Sequence, residues 1–408
     1  MTGPLVLIEP YAHRLGGHHQ HALVAIAQAG PGTVVVAPYG VGAEADTALR
    51  AAGALVAGPV GPAARVLFVA ANTAAVLSAA GRRVFASRRW PTGLRRAPHQ
   101  ITLLARCLIE AACLRTARHI APAPGAVVVL SASEALHGAA ALLGGLPHLR
   151  FVHEGVTTED AAVRLLGRLA RPGEKRVLAL YPTAAVRDQL APAFPRLPGE
   201  VRTFAVDDGR RLSEAERKGA RAAFDIPAGG RAVCLVGGWW PHKDIDVIDA
   251  ALTQLKEPLH LVACGHPLDE AVLARWRDLP QVRLHTVPGP VSEKVLRIVY
   301  GAADAALVAR HREVGKESGL VMGTVRHGVP LIVSDHDPDL TARLTGQDWA
   351  RVFPAEDPDG LADTLDRLTA DPPNPPGTDA ADTVGLPPAD KQAAFLTDTY
   401  ARLLAKEY

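Results

Sequence analysis

The sequence predicts an α/β protein of two doubly wound domains, each built on a parallel sheet with helices on both faces. Short apolar runs of strand length alternate with segments of helical periodicity along the chain, and this alternation is typical of parallel sheets. The length of 408 residues exceeds what one hydrophobic core usually supports. A charged stretch, residues 206–221, interrupts the apolar rhythm. We therefore predict a domain boundary after residue 205.

The predicted N-terminal domain covers residues 1–205. Its apolar runs predict strands at residues 4–9, 33–37, 127–130, 149–152, 177–180 and 201–205. The first strand leads into a loop that contains Gly16 and Gly17, and a helical pattern follows this loop. The order of strand, glycine loop and helix is typical of the start of a doubly wound domain.

The predicted C-terminal domain covers residues 206–388 and repeats the alternation. We expect its strands at residues 232–236, 259–263, 282–285, 305–309 and 330–334, with a helix at 243–255 after the first of them. Six prolines between residues 372 and 388 predict a linker. A last helix is predicted at residues 390–407.

Composition and charge argue against several classes of protein. The formal net charge of +2 argues against a dedicated nucleic-acid-binding protein. The four cysteines form no CxxC pair and no zinc-like spacing with histidine, so we expect reduced thiols and a cytoplasmic protein. No run of about 18 uncharged apolar residues is present, so we expect no membrane-spanning helix. Peripheral attachment to a membrane surface stays open.

Two strand-to-helix junctions in the C-terminal half are the strongest local signal. Gly237 and Gly238 follow one apolar run, and Ser318 and Gly319 stand where a later helix is expected to begin. Such junctions direct unpaired backbone N–H groups and the positive end of a helix dipole toward a ligand. Phosphate is the usual ligand at such ends, so the two junctions predict a diphosphate site.

The motifs together resemble a known family. Segments 236–246, 287–304 and 317–335 are similar, in order and spacing, to the family-four retaining glycosyltransferases of the GT-B fold, and segment 151–154 stands where that family carries a functional histidine. The resemblance implies two Rossmann-like domains facing a cleft, with a nucleotide-sugar donor bound mainly by the C-terminal domain and an acceptor by the N-terminal domain. It also implies no cofactor, no essential metal, and a last helix, residues 389–408, that crosses back to the N-terminal domain.

The resemblance also implies roles for individual residues. Lys243 matches the lysine that the family places on the donor diphosphate, and a fixed cation there would stabilise the charge of the leaving nucleotide. The expected catalytic residues are His153, Glu154 and Glu317. The expected donor-binding residues are Gly16, Gly17, Gly237, Gly238, Lys243, Gly265, His266, Arg312, Glu313, Ser318, Gly319, Leu320 and Thr324.

The sequence departs from the family pattern at two places. Family members usually carry an arginine where this chain has Gly238, and Arg310 and Arg312 are the candidate substitutes. The family also tends to pair two glutamates eight residues apart, whereas here the second position falls on Gly323 or Thr324. Side-chain contacts to the ribose are therefore in question, while backbone contacts to phosphate do not depend on that pair.

Some of these residues also have ordinary structural interpretations. His153 could bond to backbone at the end of its strand instead of contacting a sugar. Trp239 and Trp240 could line the donor pocket or pack helices together. His18 and His21 fall on one helix face without a neighbouring carboxylate or cysteine, so we expect no metal site there.

An arginine-rich stretch is the strongest compositional feature. The 63 residues between Asp46 and Glu110 include nine arginines but no acidic residue and no lysine. One interpretation is a solvated surface. The other is a surface that binds an anionic acceptor or anionic lipid headgroups. The densest part contains Arg88, Arg89, Arg95 and Arg96.

The function that these features favour is transfer of a sugar from a nucleotide-diphosphate donor to an acceptor with retention of configuration, as the resemblance implies. The acceptor would be a small molecule or a lipid-linked anion. Two alternatives stay open. One is a nucleotide-sugar epimerase of the same fold, which would need carboxylates converging on the sugar, and the other is a non-catalytic sugar-nucleotide-binding protein.

Overall fold

The computed structural model describes residues 3–14, 18–30, 32–85, 87, 89–133, 135–153, 161–205, 211–312 and 319–406. Within these ranges the strands form two parallel sheets, one of seven strands and one of six. Helices alternate with the strands in both sheets, as the apolar rhythm predicts. The predicted fold class is therefore confirmed.

The N-terminal sheet consists of β1 (Leu5–Ile8), β2 (Val34–Val36), β3 (Leu55–Ala57), β4 (Ala126–Val129), β5 (His148–Phe151), β6 (Val177–Tyr181) and β7 (Gly199–Val201). Its helices are α1 (His18–Ala29), α2 (Ala43–Ala51), α3 (Pro62–Phe85), α4 (Thr92–Ile120), α5 (His137–Gly144), α6 (Ala161–Glu174) and α7 (Ala184–Leu190). The strand order is β3-β2-β1-β4-β5-β6-β7. The chain order reverses between β1 and β4, so ligands are expected at the carboxyl ends of these two strands.

The C-terminal sheet consists of β8 (Ala232–Val236), β9 (Leu259–Gly265), β10 (Val282–Pro288), β11 (Ala305–Val308), β12 (Leu331–Ser334) and β13 (Ala350–Phe353). The helices of this half are α8 (Glu214–Ala222), α9 (Ile245–Thr253), α10 (Glu270–Asp278), α11 (Glu293–Ala302), α12 (Gly319–His327), α13 (Pro338–Leu344), α14 (Pro358–Asp366), α15 (Ala380–Thr383) and α16 (Ala389–Ala405). The strand order is β10-β9-β8-β11-β12-β13. Here the order reverses between β8 and β11, which puts their following loops side by side.

Strand boundaries differ most from the prediction at the edges of the sheets. The predicted strand at 201–205 is wrong, because β7 ends at Val201. Phe204 leaves the sheet and is buried against Phe151, with ring centroids 4.6 Å apart. The apolar character of this segment therefore reflects core packing. Strands β3 and β13 were not predicted; β3 is only three residues long and partly exposed.

Helix α16 lies on the N-terminal sheet although the C-terminal sheet precedes it in the chain. It packs against α1, β4 and β5. Leu396 and Tyr400 of α16 are buried in a core cluster that also contains Leu7 and Val128. Before it, the proline-rich segment accepts a hydrogen bond at Gly385 O from the Thr203 hydroxyl. Helix α15 contacts α12 of the C-terminal half, so the tail of the chain contacts both halves of the protein.

Helices α3 and α4, of 24 and 29 residues, form a hairpin at the side of the N-terminal domain. The second half of α4 is buried in the core, whereas α3 and the start of α4 are largely exposed. Among the described helices, α3 has the length and mean hydropathy of a membrane-spanning segment. The sequence criterion did not detect it, because Arg65 and Arg82 interrupt the uncharged run.

Candidate functional site

The C-terminal wall of the cleft is built on the glycine loop between β8 and α9. This loop packs backbone to backbone on the loop after β9, and the Gly237 amide donates to Cys264 O at 2.7 Å. A Cβ at Gly238 would lie 2.1 Å from His266 O, which is closer than any side chain tolerates. The backbone therefore requires glycine at 238, and this explains why the family arginine is missing there.

Lys243 lies beneath the glycine loop. Its exposed fraction is only 8%, and Nζ donates to the carbonyl oxygens of Val236 at 2.6 Å and Gly237 at 2.9 Å. Burial, followed by the charge of Arg310, lowers the pKa of Lys243 to about 7. The amine is thus fixed next to the loop and changes its charge near neutral pH.

A second cation lies beside Lys243. Arg310 follows β11 and is buried, and its backbone forms an isolated antiparallel bridge with Lys243. Arg312 is exposed instead. It donates to Ala355 O at 3.2 Å, and its Nε lies 3.9 Å from the Glu356 carboxylate. Of the two candidate substitutes for the missing arginine, the geometry favours Arg310.

Two nearby histidines respond to the charge of these cations. Burial lowers the pKa of His242 to about 4, and the charges of Arg310 and Lys243 also contribute. His336, just after β12, has a pKa lowered to about 4 by burial and by the charge of Arg310. Both rings are therefore neutral at pH 7. The positive potential that disfavours their protonation would attract a bound anion.

Helix α12 begins at Gly319 within the described ranges, and a phosphate contact at its start stays a prediction. Gly319 and Leu320 stand at the N-terminus and are half-buried. Thr324 does not reach the cleft, because it is 0% exposed and its hydroxyl donates to a carbonyl of its own helix at 2.7 Å. A Cβ at Gly323 would lie 2.4 Å from the Tyr300 hydroxyl. Neither position can therefore replace the missing second glutamate.

The end of β9 supplies the other side of the glycine loop. Gly265 has a φ of +141°, and a Cβ there would lie 2.5 Å from the backbone of the loop. The side chain of His266 is exposed at this strand end. Trp239 packs on Trp276 with ring centroids 5.1 Å apart, whereas Trp240 is exposed. The helix-packing interpretation therefore holds for Trp239.

Several residues predicted from the sequence lie outside the described ranges. They belong to the first glycine loop, to the segment after β5, to the turn of the α3–α4 hairpin and to the approach to α12. Their roles stay predictions. They are Gly16, Gly17, Arg88, Glu154, Glu313, Glu317 and Ser318.

His153 stands on the N-terminal wall, two residues after β5. Its Nε2 donates to Leu130 O at 2.7 Å, and its half-buried ring stacks on Phe204 with centroids 4.6 Å apart and an interplanar angle of 11°. The backbone bond that the sequence left open is therefore present. It also fixes the ring at the carboxyl ends of β4 and β5, where the sheet meets the cleft.

Glu9 is a buried acidic residue directly after β1 that the sequence reasoning missed. Its Oε1 accepts a hydrogen bond from the Tyr11 amide at 2.9 Å, and its Oε2 accepts one from the Ser131 hydroxyl at 2.5 Å. Burial raises the pKa of Glu9 to about 7, although both hydrogen bonds lower it. Glu9 and Ser131 follow the adjacent strands β1 and β4. An acidic residue directly after a buried apolar run was the available signal.

A charged contact connects the two domains. His21 Nε2 of α1 lies 3.0 Å from Glu293 Oε2 of α11, and Arg326 of α12 donates to the other carboxylate oxygen. Burial alone would raise the pKa of Glu293, but the contact with His21 and the neighbouring charges lower it to about 2. His21 therefore has an interdomain role. Within the described ranges, no three His, Cys, Asp or Glu residues are close enough to hold a metal.

A cavity of about 410 Å³ lies between the domains near the proline-rich segment. Its lining includes Thr183 and Arg202 of the N-terminal half, Met322 and Leu340 of the C-terminal half, and Leu386. None of the lining residues belongs to the glycine loop or to the pair of cations. This cavity is therefore separate from the site around Lys243.

The two parallel sheets with their interleaved helices have the GT-B fold. The structure of Anabaena HepE in complex with UDP and glucose aligns with 98% of this chain and 99% of its own, at a TM-score of 0.61 and 13% identity. A glycosyltransferase from Rickettsia africae aligns with 100% of this chain and 97% of its own, at a TM-score of 0.58 and 12% identity. The structure of the α,α-trehalose-phosphate synthase (UDP-forming) from Burkholderia xenovorans, in complex with glucose-6-phosphate, aligns with 98% of this chain and 100% of its own. Its TM-score is 0.59 and its identity is 11%. No protein-family model matches the chain, and no curated protein matches its sequence.

Proposed function

We propose that the protein is a glycosyltransferase that moves a sugar from a nucleotide-diphosphate donor to an acceptor hydroxyl. The observation that carries this proposal is the pair of buried cations, Lys243 and Arg310, beside the glycine loop. Structural neighbours support it, because HepE was solved with UDP and glucose and the trehalose-phosphate synthase is UDP-forming. UDP-glucose is therefore the first donor to test.

In the proposed reaction, the bond between sugar C1 and the diphosphate oxygen breaks while a bond from C1 to the acceptor oxygen forms. The acceptor proton passes to the departing diphosphate. Lys243 and Arg310 would stabilise the negative charge that grows on the leaving group, and a buried site strengthens that interaction. We propose that a divalent metal is not required, because these fixed cations meet the charge. Activity in the presence of a chelator tests this.

We further propose that the reaction retains the configuration at C1. The departing diphosphate would accept the proton on the same face from which the acceptor attacks, so a carboxylate nucleophile would not be needed. His153 would contact the transferred sugar from the opposite wall, since its backbone hydrogen bond and its stacking on Phe204 fix the ring at the cleft. The anomeric proton signal of the product in NMR decides between retention and inversion.

The decisive variant is Lys243→Met, which keeps the length of the side chain and removes its charge. We expect turnover at saturating UDP-glucose to fall about a hundredfold or more, as loss of a charge partner in the transition state does. Lys256→Met is the matched control, because Lys256 is exposed, and it should behave like the wild type. Unchanged turnover in Lys243→Met would refute the assignment.

Nucleotide release separates the proposed function from its alternatives. A transferase releases UDP in proportion to acceptor, and the sugar appears on that acceptor. An epimerase converts the nucleotide sugar without acceptor, and a binding protein binds it without turnover. Either of the last two results would overturn the proposal.

A further inference from the structure

Helix α3 presents an apolar stripe to solvent. Its buried side carries Ala64, Ala71 and Ser78, seven residues apart, and the Ser78 hydroxyl donates to Pro98 O of α4 at 2.6 Å. The opposite side carries five large apolar side chains that are 57% to 68% exposed, and these form the apolar stripe: Val66, Val69, Val76, Leu77 and Val84. At 100° per residue they lie within an arc of about 100°. Such a concentration of exposed apolar side chains marks an interaction surface.

The exposed apolar surface continues at the turn between α3 and α4. Trp90 is 40% exposed and Leu94, in the first turn of α4, is also exposed. The Trp90 ring packs edge-to-face on Phe85 at the end of α3, with centroids 5.2 Å apart. This contact holds the indole at the tip of the hairpin.

Arginines border the apolar stripe. Arg65 and Arg83 are exposed and each precedes a residue of the stripe, so both lie along one margin of it. Arg89, Arg95 and Arg96 are exposed at the tip of the hairpin. No acidic residue occurs in the sequence between residues 47 and 109. The hairpin therefore combines an apolar stripe with exposed positive charge at its margin and tip.

Not all nine arginines of this stretch contribute to that surface. Arg50 pairs with Asp46 at 2.7 Å, so its charge is already balanced by an acidic residue just before the arginine-rich stretch. Arg82 donates to the hydroxyls of Ser78 at 2.7 Å and Thr102 at 3.0 Å. It therefore joins α3 to α4, which narrows the binding surface to the arginines at the margin and at the tip.

We propose that the α3–α4 hairpin docks on the surface of a bilayer that contains anionic lipids. Helix α3 is about 36 Å long at 1.5 Å per residue. It would lie in the interface plane, with the apolar stripe at the boundary of the acyl chains, the arginines on headgroup phosphates and Trp90 at headgroup level. Spanning the membrane would require α3 to leave α4 and would expose Ser78 and Arg82, which bond within the hairpin.

A second copy of the chain fits this surface less well. A two-fold contact between two stripes would place the arginines of both copies together, and the one acidic residue of the hairpin, Glu110, is buried and paired with Arg150. Anionic headgroups provide that counter-charge. Charge complementarity therefore favours the bilayer.

The position of the hairpin would bring the bilayer close to the N-terminal wall of the cleft. Tyr39, which follows β2, donates its hydroxyl to Asn72 of α3 at 2.9 Å, and its ring lies 5.3 Å from that of Phe68. The middle of α3 is thus tied to the carboxyl edge of the N-terminal sheet. Membrane docking does not depend on the proposed activity, and it can be tested by binding alone.

Vesicle flotation of the full chain tests the proposal. We expect binding to vesicles of phosphatidylcholine with phosphatidylglycerol, weaker binding in high salt, and none to phosphatidylcholine alone. The stripe variant Val69→Gln/Val76→Gln/Leu77→Gln should lower vesicle affinity at least about tenfold. The charge variant, with glutamine at the four positions Arg83, Arg89, Arg95 and Arg96, should lower it about fivefold per arginine.

A matched control uses a different exposed apolar face of the same domain. Leu165, Leu166 and Leu169 of α6 are 44% to 69% exposed, and their triple replacement by glutamine should leave vesicle binding unchanged. All variants should keep the wild-type thermal midpoint, because the altered side chains are exposed. Equal loss in the α6 variant, or no flotation of the wild type, would overturn the proposal. If the wild type did not bind vesicles but formed a dimer in analytical sedimentation, and only the stripe variant was monomeric, a second copy of the chain would be the partner instead.

Discussion

The affinity of the protein for a nucleotide sugar should fall as the pH rises above 7, because the free protein holds Lys243 with a pKa of about 7. Burial is the largest cause of that low pKa, and the charge of Arg310 is the second. A bound diphosphate would place negative charge beside the amine and raise its pKa toward the ordinary value of 10.5. Binding above pH 7 would therefore be linked to the uptake of a proton.

The magnitude follows from that linkage. Below pH 7 the amine is protonated in both the free and the bound protein, so the affinity is constant. Well above pH 7 the Kd should rise about tenfold per pH unit, which gives about a fiftyfold rise between pH 7 and pH 9. The stability of the free protein changes with pH in the opposite direction to the affinity. Between pH 7 and 10.5 the unfolded chain holds the Lys243 proton and the folded chain does not, so this group makes the free energy of unfolding rise with pH.

Isothermal titration with UDP-glucose at several pH values between 6 and 9 measures the effect. A nucleotide sugar has no terminal phosphate that titrates near neutral pH, so the pH dependence belongs to the protein. Two buffers with different heats of ionisation count the proton taken up. Lys243→Met should bind weakly and without this pH dependence, whereas the control Lys256→Met should keep it.

Arg310→Met provides an independent check. The charge of Arg310 lowers the pKa of Lys243. Removing that charge should therefore raise the pH above which affinity begins to fall, and it should weaken binding at every pH. Wild-type affinity that stays constant from pH 6 to pH 9 would refute the reasoning. So would an equal slope in Lys243→Met.

Three further predictions concern the walls of the cleft. His153→Ala should reduce sugar transfer strongly and leave UDP-glucose affinity within a few-fold, and a collapse of that affinity would show that His153 is a structural residue. Gly238→Arg, which restores the family residue, should abolish nucleotide binding and lower the thermal midpoint because its Cβ would overlap a carbonyl oxygen, whereas Gly229→Ala, whose Cβ meets open space, should change neither. Glu293→Gln should weaken the link to His21 and enlarge the radius of gyration in X-ray scattering. In the wild type, stabilisation from the depressed pKa of Glu293 is complete above pH 4.5 and lost as the pH falls through about 2, so an unchanged acid-unfolding profile in Glu293→Gln would count against that link.

The central strands were predictable because each is buried on both faces. Strand β8 occupies Ala232–Val236, the predicted range, and all its residues are buried. The edge strands β3 and β7 are short and partly exposed. Strand β7 alternates between exposed and half-buried residues, so the nearby apolar residues that pack in the core marked the wrong range. An apolar run therefore identifies buried residues, and it identifies a paired strand most reliably in the middle of a sheet.

The position of Lys243 was predictable because the residue stands in register with a local motif. Lys243 follows the glycine loop at a fixed spacing, and the structure places it beneath that loop. Contacts between loops that are distant in the sequence could not be predicted from local motifs. The approach of Gly238 to His266 and the bridge between Lys243 and Arg310 join residues that are far apart in the chain. The burial that lowers the pKa of Lys243 is likewise a property of the folded protein.

The position of Arg310 explains how the site keeps two cations without the family arginine. The loops after β8 and β9 pack so closely that no side chain fits at Gly238. Strands β8 and β11 are parallel neighbours at the point where the chain order reverses. Adjacent strands lie about 5 Å apart, so a long side chain from the end of β11 reaches the same space as one from the end of β8. The attraction between a diphosphate and a cation depends on where the charge lies and not on which strand carries it. Arg310 follows β11, the strand beside β8, so the tight backbone packing at Gly238 is compatible with the proposed chemistry.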